Sequence, residues 1–190
     1  MGNVHEFPCE PGYRLHHGER VAEIAASICA AENIACDPDI LYFGALMHDI
    51  GKNGCPKGVS HAAHGAEIVR EFFTGHFTAD EMVGVCEIIT HHCARPKSKW
   101  YEGREQPSHK PIVLAVQDAD ILDHFGPSEI WISMHWAAAK NSPPEETARY
   151  WFASNDWRAE SRRSLNFASS LATLEKHIAG MNAFYQTWIR

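Results

Sequence analysis

The stretch LYFGALMHDIGKNG, residues 41–54, most constrains how this chain can fold. Seven mostly apolar residues run directly into an adjacent imidazole and carboxylate, His48 and Asp49. An ionised carboxylate is tolerated in a protein interior only when it is paired or when it holds a metal. The apolar run predicts a helix in the core, so its polar end predicts a binding partner for Asp49.

The composition of the chain is that of a globular protein with a core of its own. Of 190 residues, 45% are hydrophobic and 22% are charged. The net charge of −7 argues against a general nucleic-acid binder, which usually carries a basic face. No segment is long enough to span a membrane and residues 1–20 lack the apolar core of a signal peptide, so we expect a cytoplasmic protein. The six cysteines form no CxxC pair, which predicts reduced thiols.

Helical periodicity dominates the chain, and no alternating pattern typical of strands is present. Asp37, Ser60 and the pair Thr78 with Glu81 are typical helix-starting residues. The start of the segment after Pro111 also fits a strand, but its length and continued pattern favour a helix. The predicted helices lie at about residues 18–32, 37–50, 60–75, 78–92, 111–126 and 127–140, with two more after the Pro-Pro break at 143–144.

These elements predict a single all-α domain, with a helical core over residues 16–125 and a helical C-terminal extension over residues 126–190. The last helix carries an apolar stripe between Leu165 and Met181. We expect this stripe to pack on the core, and an oligomer interface is the alternative.

Metal-capable side chains recur near the ends of successive predicted helices. They are His17, His48 with Asp49, His61, His91 with His92, and Asp118. A helical bundle can bring such positions together in one pocket. Imidazoles and aspartates suit one or two divalent transition-metal ions, namely Fe, Mn, Co, Ni or Zn. Asp120 or Asp123 is a candidate to hydrogen-bond to these ligands.

Five motifs, in order along the chain, carry a specific resemblance. They are HGERV (17–21), LMHDIGK (46–52), HAAHGAEI (61–68), IITHH (88–92) and QDADILD (117–123). This set resembles the HD superfamily of metal-dependent phosphohydrolases over about residues 16–125. The resemblance implies an HD-type helical bundle, an enzyme, and a metal ion bound by His17, His48, Asp49 and Asp118.

Members of this superfamily with a second metal ion use two further histidines. The resemblance assigns these roles to His61 and His91, and Asp49 then bridges the two ions. His92 competes with His91, because the subgroup with a double histidine uses both. His64 and His92 are otherwise expected beside the ligands or the substrate.

The chain departs from one subgroup, the HD-GYP cyclic dinucleotide phosphodiesterases. It shares their HDIGK form, but the residues after His92 read CARPKSKWYEG, without the glutamate and the Gly-Tyr-Pro triplet. This departure argues against hydrolysis of cyclic di-GMP. The spacing is closer to small stand-alone HD hydrolases that act on nucleotides or other phosphate esters.

The implied mechanism uses a metal-activated water to attack a phosphoryl group. Asp49 is expected to bridge the ions or orient the nucleophile, and Lys52 is expected to meet the phosphate as a point charge. The long loop over residues 93–111 is a candidate lid, because it contains five basic residues, Arg95, Lys97, Lys99, Arg104 and Lys110.

Three functions therefore remain open from the sequence. The first is a phosphohydrolase acting on a small phosphorylated molecule such as a nucleotide, with no membrane or general nucleic-acid partner. The second is a di-iron oxygenase on the same scaffold, acting on a small organophosphonate or polyol. The third is a non-enzymatic sensing or scaffold module that has kept the metal site.

Overall fold

The structure is a computed structural model that describes residues 13–189 except residues 100, 102, 104 and 105. In this part of the chain the regular elements are helices, and the only β pairing is an isolated bridge between Thr74 and Phe77. The prediction of an all-α fold is therefore confirmed. The helices are α1 (Tyr13–Ala31), α2 (Pro38–Leu46), α3 (His61–Phe73), α4 (Ala79–His91), α5 (Pro111–Asp123), α6 (Pro127–Ala139), α7 (Pro144–Ala153), α8 (Asn155–Ser164) and α9 (Ala168–Gln186).

The predicted capping residues start the helices that carry the candidate site. The Asp37 carboxylate accepts hydrogen bonds from the backbone N–H groups of Asp39 and Ile40 at 2.9 and 3.2 Å. Thr78 and Glu81 form a reciprocal capping box, with bonds of 2.7 and 3.3 Å. These bonds satisfy backbone donors that the first turn of a helix leaves without partners.

Helix α2 ends at Leu46, about one turn earlier than the sequence predicts. The Ala45 carbonyl accepts hydrogen bonds from both the backbone N–H of His48, at 3.4 Å, and the ring of His48, at 2.6 Å. In a continuing helix this carbonyl would accept from Asp49 instead. His48 and Asp49 therefore lie in a turn, which a short 3-10 helix at Ile50–Lys52 follows.

The main hydrophobic core lies where α1 packs against α2 and α5, and where α5 meets α9. The predicted C-terminal stripe contributes Leu174, Ile178 and Met181, which are all buried, whereas Leu171 is exposed. A smaller cluster joins α3 to α4. Among the residues that the structure describes, no helix combines the length and the apolar character needed to cross a membrane.

Two glycines allow the close contacts that bring the candidate residues together. A Cβ atom on Gly18 would lie 2.3 Å from the Leu46 carbonyl oxygen, so α1 can cross the end of α2 only without a side chain there. A Cβ atom on Gly51 would lie 1.9 Å from the His61 carbonyl oxygen and 2.4 Å from the Gly65 nitrogen. The 3-10 turn therefore packs directly on the first turn of α3.

Candidate metal centre

The contact between α1 and the end of α2 places two imidazoles side by side. The rings of His17 and His48 pack edge to face with their centroids 5.1 Å apart. Both side chains are almost fully buried, at 3% and 0% exposure. Asp49 follows His48 directly, and one of its carboxylate oxygens lies 3.8 Å from the His48 Nε2 atom.

The same oxygen of Asp49 also faces two histidines from other helices. It lies 3.6 Å from Nε2 of His61, the first residue of α3, and 3.5 Å from Nε2 of His92, which follows α4. The His61 and His92 nitrogens are 3.3 Å apart. One carboxylate oxygen is therefore close to the Nε2 atoms of three imidazoles.

Helix α5 contributes Asp120 to this cluster rather than the expected Asp118. One Asp120 oxygen lies 3.3 Å from His17 Nε2 and 3.7 Å from His48 Nε2. Asp118 instead accepts hydrogen bonds of 2.8 to 3.1 Å from the backbone and side chain of Asn166 and from the backbone of Phe167. Residues two positions apart on a helix point about 200° apart, so only one of the two aspartates can face the cluster.

The structure also separates His91 from His92. His91 is the last residue of α4, and its Nδ1 atom lies 2.5 Å from the Gln106 carbonyl oxygen in the following loop. His92 is buried and faces Asp49. The expected position of His91 in the centre is therefore corrected to His92, because adjacent residues at a helix end point in different directions.

His64 was expected beside the ligands or the substrate. Its Nδ1 atom lies 4.0 Å from the carboxylate of Glu67, one turn along α3.

Hydrogen bonds at the Nδ1 atoms of His48 and His92 orient the two rings so that their Nε2 atoms face the cluster. Nδ1 of His48 lies 2.6 Å from the Ala45 carbonyl oxygen, and Nδ1 of His92 lies 2.7 Å from the Ile89 carbonyl oxygen. A carbonyl can only accept, so Nδ1 carries the hydrogen in both rings and Nε2 of a neutral ring presents a lone pair. The buried His48 Nε2 atom has no hydrogen-bond partner.

Asp123 orients His17 in the same way. Its carboxylate lies 2.7 Å from His17 Nδ1 and also accepts hydrogen bonds from Arg20, at 2.7 and 3.0 Å. In protein metal sites, the ring nitrogen of a histidine that does not bind the metal often donates a hydrogen bond to a carboxylate. Arg20 is thus a structural partner of the cluster.

This donor set fits a transition-metal ion. Buried polar atoms normally have hydrogen-bond partners, but in the part of the chain that the structure describes the inward-facing Nε2 of His48 has none, although two carboxylates lie within 4 Å. Bonds of about 2.1 Å at tetrahedral angles place neighbouring ligand atoms of one ion about 3.4 Å apart. The separations of 3.3 to 3.8 Å in this cluster are close to that value. Two overlapping groups are present, one around His17, His48 and Asp120 and another around His61 and His92, and both include Asp49 as a neighbour.

Electrostatics keep the two carboxylates of the cluster ionised. Burial alone would raise the pKa of Asp49, but His48, His92 and Lys52 hold it well below its usual value. Burial opposes ionisation of Asp120 too, and Arg95 and the neighbouring imidazoles likewise hold the Asp120 pKa well below its usual value. Both groups are therefore in the charged form that binds cations.

Two of the buried histidines, His17 and His92, differ in charge. Burial opposes protonation of His17, but hydrogen bonds and charges from Asp120 and Asp123 outweigh it and raise the His17 pKa to about 9. Burial lowers the pKa of His92, so that ring is neutral near pH 7. An ion bound beside His17 would replace a proton on its ring.

Basic side chains lie at the edge of the cluster. Lys52 donates to the second oxygen of Asp49 at 2.5 Å and keeps 43% of its side chain exposed. Arg95, from the loop after α4, pairs with the second oxygen of Asp120. The Lys97 ammonium group donates to the Leu165 carbonyl oxygen, and the Lys99 backbone N–H donates to the Glu160 carboxylate. Lys110 pairs with Glu87. Arg104 lies outside the described residues.

Two residues near the cluster were not expected from the sequence. The Cys93 Sγ atom lies 3.0 Å from His92 Nε2 and 3.3 Å from His61 Nε2, and burial raises the pKa of this thiol to about 12. His124 lies 4.0 Å from Asp120 and packs against the ring of His17. Cys93 directly follows the double histidine, and this adjacency was the only available signal.

A cavity of about 210 Å³ adjoins Asp120. Trp157, which stacks on Phe125 with ring centroids 4.5 Å apart, forms one wall. Helix α8 lies outside the five motifs, so the C-terminal region contributes directly to the surroundings of the cluster. The lining residues are Arg95, Ser98, Asp120, Ile121, His124, Trp157, Ser161 and Ser164.

Comparison with known proteins gives one family and a set of similar folds. The HD domain family model matches residues 14–125. No curated protein matches the chain. Among solved structures, Bacillus subtilis YpgQ in complex with ADP is 22% identical with a TM-score of 0.60, and the match covers 90% of this chain and 85% of YpgQ.

Two further structures show the same fold. A predicted HD superfamily hydrolase from an uncultured Thermotogales bacterium is 23% identical with a TM-score of 0.56, and the match covers 92% of this chain and 78% of that one. A Lactobacillus plantarum protein is 17% identical with a TM-score of 0.58, with 93% and 91% coverage. The structural likeness therefore continues beyond residue 125 into the C-terminal helices.

Proposed function

This chain belongs to the HD domain family, and on that premise we propose that it is a metal-dependent phosphohydrolase acting on a small phosphorylated molecule, with a nucleotide as the first candidate. Membership of the family supports metal-dependent phosphohydrolase chemistry in general. The observation that carries the proposal is the buried Nε2 atom of His48, which has no hydrogen-bond partner among the described residues and faces the ionised carboxylates of Asp49 and Asp120 at 3.8 and 3.7 Å.

The proposed ligands follow the geometry and depart from the sequence expectation at two positions. One ion would be held by His17, His48, Asp49 and Asp120, and a second by His61, His92 and Asp49. Asp49 is common to both sets because one of its oxygens lies within 3.5 to 3.8 Å of three imidazole nitrogens.

When bound, an ion at this centre lowers the pKa of a coordinated water and polarises a phosphoryl oxygen. Asp49 would orient the attacking water, since it lies at the middle of the cluster. Lys52 bonds to the outer oxygen of Asp49 and remains partly exposed, so its ammonium group can also meet a substrate phosphate. Arg95 would place a second positive charge beside the cavity.

The cavity supports a small or partly enclosed substrate. Its volume of about 210 Å³ is below the range of about 300 to 1,000 Å³ that is typical for sites enclosing a drug-sized ligand. The Arg95 guanidinium suits a phosphate, and Trp157 offers an apolar wall. The Ser161 and Ser164 hydroxyls donate to the backbone carbonyls of Trp157 and Glu160, so they can accept a hydrogen bond from a sugar hydroxyl. A nucleotide is favoured because the structurally similar YpgQ was solved in complex with ADP.

Metal analysis and phosphate release together test this proposal. We expect protein purified without added metal to contain transition-metal ions, and to release phosphate or pyrophosphate from members of a nucleotide panel. Asp49→Ala should abolish both metal binding and hydrolysis. The matched control is Asp39→Ala, which removes an exposed carboxylate from α2 and should leave both unchanged.

Three results would overturn the proposal. Two bound irons with substrate-dependent oxygen consumption, and no phosphate release, would establish the oxygenase alternative. Nucleotide binding without turnover under any metal would support the sensing module. Hydrolysis that survives in Asp49→Ala would show that the reaction occurs elsewhere.

A further inference from the structure

A thiol lies among the donor atoms of the second proposed ion position. The Cys93 Sγ atom is 3.0 Å from His92 Nε2 and 3.3 Å from His61 Nε2, and these two nitrogens are 3.3 Å apart. The three atoms come from the first residue of α3 and from two adjacent residues after the last turn of α4. A sulfur and two imidazole nitrogens thus form a compact triangle.

The size of the triangle fits one tetrahedral ion. With metal–nitrogen bonds of about 2.05 Å and a metal–sulfur bond of about 2.3 Å, neighbouring nitrogens lie about 3.4 Å apart and nitrogen and sulfur about 3.6 Å apart. The Asp49 oxygen lies 3.5 and 3.6 Å from the His92 and His61 nitrogens, where a fourth ligand is expected. The sulfur–nitrogen separations of 3.0 and 3.3 Å would lengthen by about 0.6 and 0.3 Å to reach the value expected around one ion.

The surrounding contacts point to a ligand inside this group rather than to a chance contact. The 1% exposed His92 side chain is oriented by the hydrogen bond from its Nδ1 atom to the Ile89 carbonyl oxygen, so Nε2 faces the thiol and Asp49. The fully buried His48 Nε2 atom faces the same carboxylate and, among the residues described, has no hydrogen-bond partner.

We propose that the Cys93 thiolate is a ligand of the second ion, together with His61, His92 and Asp49. The proposal rests on the metal centre described under the proposed function and deepens it. The two positions are then chemically unequal: the first has only nitrogen and oxygen donors, whereas the second has a thiolate. A thiolate favours zinc and cobalt over manganese and magnesium, so the second position should be the more selective one.

Binding replaces the proton of the thiol. The Cys93 S–H bond breaks, a sulfur–metal bond forms, and one proton passes to the solvent for each ion bound at this position. Neither the sulfur nor the ion changes oxidation state. The step therefore needs no oxidant or reductant.

Cobalt(II) titration of the metal-stripped, full-length protein under reducing conditions tests the proposal. A thiolate bound to cobalt(II) gives an intense charge-transfer absorption in the near ultraviolet, which nitrogen and oxygen ligands do not give. We expect this band in the wild type as cobalt fills the position formed by His61, His92 and Cys93. Cys93→Ser should lose the band and bind cobalt at this position at least tenfold more weakly. Cobalt should still bind at the other position, beside His17, His48 and Asp120.

The matched control is Cys55→Ser, since Cys55 lies in the loop before α3 and its thiol contacts the backbone oxygens of Pro56 and Val59. It should keep the band. A second measurement needs no variant: bound cobalt or zinc should protect Cys93, identified by peptide mass spectrometry, from an alkylating reagent. This keeps the test decisive even if Cys93→Ser fails to fold.

The possible outcomes separate this proposal from the proposed function. Two bound cobalts without the band, or a band that persists in Cys93→Ser, would overturn the role of Cys93 and leave the hydrolase proposal standing. A protein that shows the band but hydrolyses no phosphate ester would confirm the ligand and overturn the proposed function. A protein that takes up no cobalt would overturn both.

Discussion

Asp118 and Asp120 are two residues apart on α5, yet their carboxylates contact different parts of the molecule. The Asp120 carboxylate lies 3.3 Å from His17 Nε2, in the cluster. The Asp118 carboxylate accepts hydrogen bonds from Asn166 and Phe167, in the segment between α8 and α9. One helix thus joins the proposed metal centre to the C-terminal region.

The pair Asp120→Asn and Asp118→Asn gives the first prediction. Asp120→Asn removes a proposed ligand, so metal affinity should fall by at least about 100-fold. Asp118→Asn should keep metal affinity within about threefold, but lower the free energy of unfolding by about 1–3 kcal/mol because hydrogen bonds to a buried carboxylate are weakened. Titration calorimetry and urea denaturation measure the two effects. Metal loss in Asp118→Asn with Asp120→Asn unaffected would reverse the assignment.

The two adjacent histidines after α4 give the second prediction. His92→Gln should weaken binding of the second ion by at least about 100-fold, because His92 faces Asp49 from a buried position. His91→Gln should change this affinity by less than about threefold, since the His91 ring bonds to the Gln106 carbonyl in a loop. Metal stoichiometry by elemental analysis checks both variants. Equal losses would show that both imidazoles serve the centre.

The packing of Gly51 on α3 gives the third prediction. In Gly51→Ala the new Cβ atom would collide with the His61 carbonyl oxygen, which is backbone and cannot rotate away. We expect a loss of about 2–3 kcal/mol in the free energy of unfolding, together with weaker binding of the second ion, because His61 moves away from Asp49. Gly180→Ala in α9 is the control. Its Cβ atom meets no neighbour, and the change should stabilise the protein by up to about 1 kcal/mol.

The partly buried carboxyl group of Glu129 on α6 gives the fourth prediction. Burial raises the pKa of Glu129 from 4.5 to about 7, against a hydrogen bond of 3.0 Å from Ser133. The folded state then binds more protons than the unfolded state between pH 4.5 and 7, so stability falls as the pH rises through this window. Glu129→Gln removes the ionisation.

The stability advantage of Glu129→Gln over the wild type should therefore widen by about 2 kcal/mol between pH 5 and pH 8. Urea denaturation of both proteins at the two pH values measures this difference. The control is Glu145→Gln, which changes an exposed residue of α7 and should show no such widening. A constant difference would mean that Glu129 titrates near its ordinary pKa in the folded protein.

The helices and their starts could be predicted because they depend on local chemistry. The cap at Asp37 and the capping box of Thr78 and Glu81 act within one turn, and the sequence contains all of their parts. The family motifs also identified His17, His48 and Asp49 as neighbours, and the structure brings them together. These features need no knowledge of how a helix is rotated.

The choice between Asp118 and Asp120 does depend on that rotation. Helix α5 is buried around almost its whole circumference, from Val113 to Asp123, so it has no polar face that reveals which side meets the site. The sequence could not decide between His91 and His92 for a related reason, because the direction of each ring depends on where α4 ends. Cys93 was missed because its position after the double histidine does not reveal which way its side chain points; only the fold places its sulfur beside two imidazoles.

The hydrogen bonds between Asp118 and the segment after α8 limit how far this chain can be shortened. A truncated protein that ended at residue 125, where the family match ends, would keep every proposed ligand. It would lose the donors from Asn166 and Phe167 and the cavity wall at Trp157, and it would leave the buried carboxyl group of Asp118 without those partners. The boundary of a sequence family is therefore not, in this molecule, a boundary at which the working unit can be cut.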